Sequence, residues 1–152
     1  MTTELSDLYQ EVILDHNKRP RNFGRPATTN RHAVGYNPLC GDKVTVHVEL
    51  SDGILRTVAF EGSGCAISKA SASMMTEALR GRSEAEAEAL FHTFHRLVTG
   101  EAAPRDETEA PLGKLIVFSG VRGFPMRVKC ASLAWHTLSA ALHDRHETTT
   151  TE

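Results

Sequence analysis

The stretch from residue 43 to residue 50 constrains the fold most, because its side chains alternate strictly between polar and apolar. Three valines and a leucine occupy every second position, which predicts a β-strand with one buried and one polar face. The Ser51-Asp52-Gly53 sequence that follows is typical of a hairpin turn. Residues 54–60 are therefore predicted to form the partner strand, and residues 32–36 a shorter strand before them.

Helical patterns lie on both sides of these strands. Apolar residues recur at helical spacing in four stretches, and a fifth, shorter apolar run is also predicted to be helical. Ser83 and Glu86 match a capping box, which marks where the third helix starts. The five predicted helices begin near Leu5, at Cys65, after Ser83, at Leu112 and at Pro125.

The chain of 152 residues is long enough for one domain with a sizeable core. We assign residues 1–146 to this domain and predict that the polar, threonine-rich segment 147–152 is a disordered tail. The formal net charge of -2 gives no electrostatic case for nucleic acid or an anionic membrane as a partner. No apolar run reaches the ~20 residues of a membrane-spanning helix. Residues 1–7 are acidic where a signal peptide is basic, so we expect a cytoplasmic protein.

Three cysteines and one aspartate form the candidate chemical site. Cys40 and Asp42 flank a glycine just before the alternating strand, so their side chains can converge on one centre. Cys65 and Cys130 lie near predicted helix starts, and three thiolates with one carboxylate can fill a tetrahedral zinc shell. An odd number of cysteines in a reducing compartment argues against a disulfide framework. Two interpretations stay open at this point: a shared metal or redox site, or buried thiols that act as small apolar side chains.

Two histidines are spaced three residues apart in the third predicted helix. His92 and His95 lie on the same side as Glu88, and a pair at this spacing can bind a metal. The apolar stripe of the helix lies on the opposite side. This pattern favours a solvated polar face over a pair of metal ligands.

Several short motifs follow one another in order over nearly the whole chain, leaving out only its two ends and part of the acidic loop before residue 112. They are Leu8-Tyr9, Asp15-His16, Arg19-Pro20-Arg21-Asn22-Phe23-Gly24, Asn37-Pro38-Leu39-Cys40-Gly41-Asp42, Phe60-Glu61-Gly62-Ser63-Gly64-Cys65-Ala66-Ile67-Ser68, Ala70-Ser71-Ala72-Ser73-Met74-Met75 and Arg127-Val128-Lys129-Cys130-Ala131. In this order they closely resemble the U-type iron–sulfur cluster assembly proteins, the family of IscU, SufU and the N-terminal domain of NifU.

Two features make the chain most similar to the SufU branch of that family. Lys129 precedes Cys130, whereas the IscU-like scaffolds carry a histidine immediately before their third cysteine. The segment 100–123 also resembles an insertion that is found in the SufU branch.

The resemblance implies an α+β fold in which helices cover a small antiparallel sheet of three strands. It implies a zinc ion held by Cys40, Asp42, Cys65 and Cys130. It further implies a zinc-dependent sulfurtransferase, which accepts persulfide sulfur from a SufS-type, pyridoxal-phosphate cysteine desulfurase and passes it to the downstream iron–sulfur assembly machinery.

We expect Cys40 to be the sulfur acceptor, because a loop residue next to a glycine moves more freely than a helical cysteine. Arg127 and Lys129 are candidates for steering the desulfurase or stabilising the persulfide anion, and solvated cations are an equal alternative. Two other functions stay open. One is a non-enzymatic scaffold that assembles a transient iron–sulfur cluster on the same thiolates, and the other is a structural zinc module that only binds a partner.

Overall fold

A computed structural model describes residues 2–100, 112–144 and 148–150, with side chains from residue 10 onward. The segment 101–111, which the sequence predicts to be an exposed acidic loop, lies outside the described residues. The elements follow in the order α1 (Thr2–Lys18), β1 (Arg31–Asn37), β2 (Asp42–Ser51), β3 (Ile54–Ser63), α2 (Ala66–Leu79), α3 (Glu84–Thr99), a 3₁₀ helix (Gly113–Val121), α4 (Pro125–Leu142) and β4 (Thr149–Thr150).

The sheet has the strand order β3-β2-β1-β4. Strand β2 pairs antiparallel with both β1 and β3, and the β2–β3 hairpin turns at Asp52 and Gly53, which both have positive φ angles. Such angles match the right-handed twist of the strands, as the sequence of this turn predicts. The strands predicted at 32–36, 43–50 and 54–60 are confirmed, each with slightly wider bounds.

The prediction of a three-stranded antiparallel sheet is wrong, because a fourth strand makes the sheet mixed. Thr149 and Thr150 pair in parallel with Gly35 and Tyr36 at the outer edge of β1. These threonines belong to the segment 147–152 that was predicted to be disordered, of which the structure describes residues 148–150. Threonine favours β-strands. The outer edge of β1 offers unpaired backbone N–H and C=O groups, and a strand can bind to them without contributing apolar side chains. The domain boundary at residue 146 lies outside the described residues and stays a prediction.

Helices cover one face of the sheet, so the fold is α+β as predicted. Helix α4 packs on β1 and β2, while α2 packs on β3 and on α4. Helix α3 and the 3₁₀ helix pack against α4 from the outside. Gly35 allows α4 to approach β1 closely, because a Cβ atom at this position would collide with Thr137 Oγ1. The large side chains at the centre of the core are fully buried: Trp135, Phe94, Phe118, Leu55, Met75 and Leu79.

Two side chains that the patterns place in water are buried or half-buried. His47 lies on the predicted polar face of β2 but is only 5% exposed, and its Nε2 lies 3.0 Å from Glu61 Oε1. His95 packs against the ring of His136, so the predicted polar face of α3 holds for the exposed His92 but is wrong for His95. Periodicity alone cannot identify polar residues that are buried by a specific partner.

Across the described ranges, no helix has both the length and the apolar content that crossing a membrane requires.

His16 gives the fold a predictable dependence on pH. Its Nδ1 lies 2.7 Å from Ser73 Oγ inside the protein, and burial lowers the pKa of its imidazole below the ordinary value of 6.5. Near pH 6.5, His16 therefore binds a proton in the unfolded chain but not in the folded chain. The stabilisation from neutral His16 is complete above pH 6.5 and is lost as the pH falls toward the folded-state pKa.

We expect the difference in free energy of unfolding between the wild type and His16→Asn to shrink when the pH is lowered from about 7.5 to about 5.5. Urea denaturation of both proteins across this range measures the difference. A difference that stays constant with pH would contradict the assignment of a buried neutral imidazole.

Candidate metal centre

Strand register brings the four candidate ligands to one end of the sheet. Asn37 pairs with Asp42, so the loop 38–41 that carries Cys40 closes the β1–β2 connection. Lys43 pairs with Ser63, so the end of β3 lies beside the same loop. The chain then enters α2 through Cys65.

Cys65 is the N-cap residue of α2, which confirms the prediction that it lies at a helix N-terminus. Its Sγ accepts a hydrogen bond from the backbone N–H of Ser68 at 3.4 Å. Its own backbone N–H donates to Asp42 Oδ1 at 2.8 Å, and its Sγ lies 3.8 Å from Asp42 Oδ2. One carboxylate oxygen is thus fixed by the backbone, while the other faces the thiol.

Cys130 reaches the site from α4. It lies in the second turn of this helix, on the side that packs toward the sheet, and its Sγ is 3.6 Å from Cys40 Sγ. Ligand atoms of Cys40, Asp42 and Cys130 all lie within 4.8 Å of one another. Cys65 contacts Asp42 but lies outside the group whose ligand atoms are all within 4.8 Å of one another, so the structure brings three of the predicted ligands to one centre and places Cys65 beside it.

The four side chains differ sharply in exposure. Asp42 is fully buried and Cys130 is 3% exposed, while Cys65 is half-buried and Cys40 is exposed. This gradient follows from the fold, because α2 and α4 cover the inner ligands and Cys40 lies in a turn at the sheet end. Of the four, Cys40 is therefore the most accessible to a partner molecule.

Hydrogen bonding between the thiols of Cys65 and Cys130 shifts their pKa values in opposite directions. It lowers the pKa of Cys65 to about 7, with further help from the backbone N–H of Ser68. The same contact raises the pKa of Cys130, and burial raises it further. Between these two thiols, the proton therefore stays on the more deeply buried Cys130, and Cys65 is the one that ionises first.

The spacing of the donors suits a tetrahedral zinc ion. Two thiolates on such an ion lie about 3.8 Å apart, and a thiolate and a carboxylate oxygen about 3.5 Å apart. The separation of 3.6 Å between Cys40 and Cys130 and that of 3.8 Å between Cys65 and Asp42 are close to these values. Thiols and a carboxylate are also donors that zinc accepts.

Asn37 is a site residue to which sequence analysis assigned no role. It is fully buried, and its Nδ2 donates to Cys130 Sγ at 3.7 Å. Its Oδ1 accepts from the N–H of Leu39 at 3.2 Å, and its backbone carbonyl accepts from Gly41 at 2.8 Å. The side chain and the backbone carbonyl of Asn37 thus shape the turn around Cys40, and the side chain also orients the thiol of Cys130. The sequence signal that could have identified this role is an asparagine immediately before Pro-Leu-Cys-Gly-Asp, because asparagine commonly organises turns.

The two cations near Cys130 point to different surroundings. Arg127 is exposed, and its guanidinium lies 5.3 Å from the centre of the Phe124 ring. Lys129 is half-buried and lines a cavity on the flank of α4 that none of the four ligands lines. The predicted roles of both residues in sulfur transfer stay untested.

Comparison with known proteins places the chain among well-described relatives. Residues 8–131 match the NifU-like N terminal domain. The iron-sulfur cluster assembly scaffold protein IscU of Streptococcus pyogenes serotype M1 is 39% identical over 140 residues, which cover 92% of this chain and 86% of that protein. The zinc-dependent sulfurtransferase SufU of Bacillus subtilis is 38% identical over 135 residues, which cover 88% of each chain.

Solved structures share the fold. FiSufU from Fervidobacterium islandicum AW-1 superposes with a TM-score of 0.81 at 36% identity, covering 89% of this chain and 96% of that chain. The N-terminal part of a nitrogen-fixing NifU-like protein from Brucella abortus superposes with a TM-score of 0.78 at 25% identity, covering 91% and 94%.

Gly64 offers a test of how tightly Asp42 is held. A Cβ atom at Gly64 would lie 2.8 Å from Asp42 Oδ1, so an added methyl group must push the carboxylate away. We expect Gly64→Ala to weaken zinc binding roughly 10- to 100-fold, as loss of a ligand's outer support does. Competition with a chromophoric zinc chelator measures the affinity.

Gly123→Ala is the matched control, because a Cβ atom there meets no other atom within 4 Å. This variant should bind zinc like the wild type. Equal affinity in Gly64→Ala and Gly123→Ala would show that the position of Asp42 does not matter for the metal.

Proposed function

The chain belongs to the family of NifU-like N-terminal domains, and on that premise we propose that it is a zinc-dependent sulfurtransferase of iron–sulfur cluster assembly. In this proposal it accepts persulfide sulfur in the cytoplasm from a cysteine desulfurase of the SufS type and passes it to the downstream assembly machinery. The zinc-dependent sulfurtransferase SufU, which is 38% identical, supports this reading by its name.

The observation that carries the proposal is the exposure of Cys40 beside a half-buried Cys65 and the buried Asp42 and Cys130. An acceptor thiol must reach into the active site of another protein, whereas a ligand that only anchors a metal gains from burial. Cys40 lies in the turn between β1 and β2, so it can move outward without unwinding a helix. Cys65 caps α2 and Cys130 lies within α4, so a similar movement of either would break helical hydrogen bonds.

Asp42, Cys65 and Cys130 would hold the zinc ion together with Cys40. The ion would keep the thiols deprotonated at neutral pH, where a free cysteine is mostly protonated. The protein's own contacts already favour this ligand set. The backbone N–H of Cys65 fixes the carboxylate of Asp42, and Asn37 orients the thiol of Cys130.

The transfer step is a thiol–disulfide type of exchange. The thiolate of Cys40 attacks the outer sulfur of the persulfide that the desulfurase carries on its own cysteine. A new sulfur–sulfur bond forms, the bond between the two desulfurase sulfurs breaks, and the electron pair leaves with the desulfurase thiolate. Cys40 then carries the persulfide, and the exchange consumes no oxidant or reductant.

Exposed apolar side chains next to the site give a desulfurase a surface to bind. Leu39 precedes Cys40, and Phe124 and Met126 lie at the start of the helix that carries Cys130. Each of the three side chains is more than half exposed, and Leu39 is 56% exposed. Burial of such side chains against a partner would stabilise a complex in which the site is covered.

A second candidate function is supported by the convergence of three thiols on one centre. The same residues would hold an iron–sulfur cluster as cargo if the protein were a scaffold, which is what the related IscU of Streptococcus pyogenes is named. Lys129 occupies the position before Cys130, where the IscU-like scaffolds carry a histidine, so this candidate lacks a ligand from that position.

Replacing the cysteines one at a time tests the proposed division of roles. We expect Cys40→Ser to abolish stimulation of the desulfurase while keeping the fold and some zinc, because the remaining three ligands stay in place. Cys65→Ser, the matched comparison, should lose zinc and melting temperature together, since binding free energy of the metal is also folding free energy. Metal analysis, thermal denaturation and alanine release by the desulfurase measure the three effects.

The opposite pattern would contradict the proposal. Full stimulation of the desulfurase by Cys40→Ser would exclude Cys40 as the acceptor. A brown protein that carries iron and sulfide after aerobic purification, with no zinc, would instead favour the scaffold.

A further inference from the structure

A cavity of about 280 Å³ lies on the flank of α4, and no ligand of the candidate metal centre lines it. Lys129, Ser132 and His136 project into it from one side of α4, as their spacing along the helix requires. His95 of α3 and the strand Thr149–Thr150 form the opposite walls. The cavity therefore lies where α3, α4 and the edge of the sheet meet.

The lining of this cavity is rich in hydrogen-bond donors. It contains one ammonium group, two imidazoles and three hydroxyls, and none of its lining residues in the described chain is acidic. The hydroxyl of Ser132 donates to the carbonyl of Val128 at 2.7 Å and is therefore occupied within the helix. The ammonium, the imidazoles and the threonine hydroxyls face a space that no carboxylate of the described residues lines.

Ring packing fixes the two imidazoles but leaves their nitrogens without a protein partner. His136 meets the edge of Phe91 with ring centres 5.1 Å apart, and His95 lies 5.8 Å from His136. Within the parts of the chain that the structure describes, no nitrogen of either ring forms a hydrogen bond, and the ammonium of Lys129 forms neither a hydrogen bond nor an ion pair. Half-buried polar groups of this kind are normally satisfied by water or by a ligand.

We propose that this cavity is a binding site for a small oxyanion, of the phosphate or carboxylate class. Lys129 supplies the counter-charge, and His95, His136 and the threonine hydroxyls supply hydrogen bonds to the oxygen atoms. Lys129 then acts through this second site and not at the thiols, although it is the neighbour of Cys130 in the chain. The inference goes beyond sulfur transfer and does not depend on it.

The chemistry of the lining favours an anion over a metal ion. A zinc site in a protein takes at least three protein ligands. Among the residues that the structure describes, no third cysteine, histidine or carboxylate completes a ligand group around His95 and His136. Burial, together with His95, also lowers the pKa of His136, so its ring is neutral at pH 7 and donates a single N–H group.

Titration of the metal-loaded protein with inorganic phosphate tests the proposal by nuclear magnetic resonance. We expect the imidazole signals of His95 and His136 to shift and to saturate, while the signals of the exposed His92 on the same helix do not. Sulfate and acetate in separate titrations distinguish a phosphate-like from a carboxylate ligand. Sodium chloride at the same ionic strength controls for screening, and it should cause no saturable shift.

Variants make the test specific to the cavity. Lys129→Gln should weaken phosphate binding about tenfold, as loss of one charge-assisted hydrogen bond does, and Lys129→Arg should retain it. His92→Gln is the matched control for His95→Gln and should bind phosphate like the wild type. Amide spectra of each variant show that the fold is intact.

Three outcomes would overturn the proposal. The first is the absence of any saturable shift with all three anions, and the second is equal binding by the wild type and Lys129→Gln. The third is a saturable response of His95 and His136 to a second equivalent of zinc with none to the anions, which would make the cavity a metal site.

Discussion

The hydrogen bond from the backbone N–H of Cys65 to the carboxylate of Asp42 is the interaction on which the site depends. At 2.8 Å it joins the start of β2, where Asp42 lies, to the start of α2, which Cys65 caps. The bond forms only because the β2–β3 register returns the chain to the same end of the sheet. Gly64 keeps the space that the carboxylate occupies, so backbone pairing and ligand geometry are set together.

The three thiols have the same chemistry but differ in burial, which would give them different roles. Cys130 is covered by the packing of α4 on the sheet, and Cys65 is tied to the first turn of α2. Cys40 lies in the turn that Asn37 organises, contacts Cys130 through its thiol, and is exposed. A site that anchors a metal and also releases a nucleophile needs both kinds of position, and a hairpin turn facing two helices provides them. In the proposed function, the mobility that sulfur transfer needs would be confined to this one turn.

Much of the fold was predictable because its elements have local signals. The alternation at 43–50 predicts β2, and the capping box at Ser83 predicts where α3 begins. The fourth strand was not predictable, because Thr149–Thr150 pair through backbone groups and show no apolar period. The role of Asn37 was hidden for a different reason: its partner Cys130 is 93 residues away in sequence, and only the packing of α4 brings them together.

Mass spectrometry of the zinc-loaded protein after incubation with a cysteine desulfurase and free cysteine tests the central claim most directly. The division between one mobile thiol and two anchored thiols predicts that the first adduct, with the mass of one added sulfur atom, maps to the peptide that contains Cys40. The peptides that contain Cys65 and Cys130 should stay unmodified at that stage. A first adduct on either of those two cysteines would contradict the account.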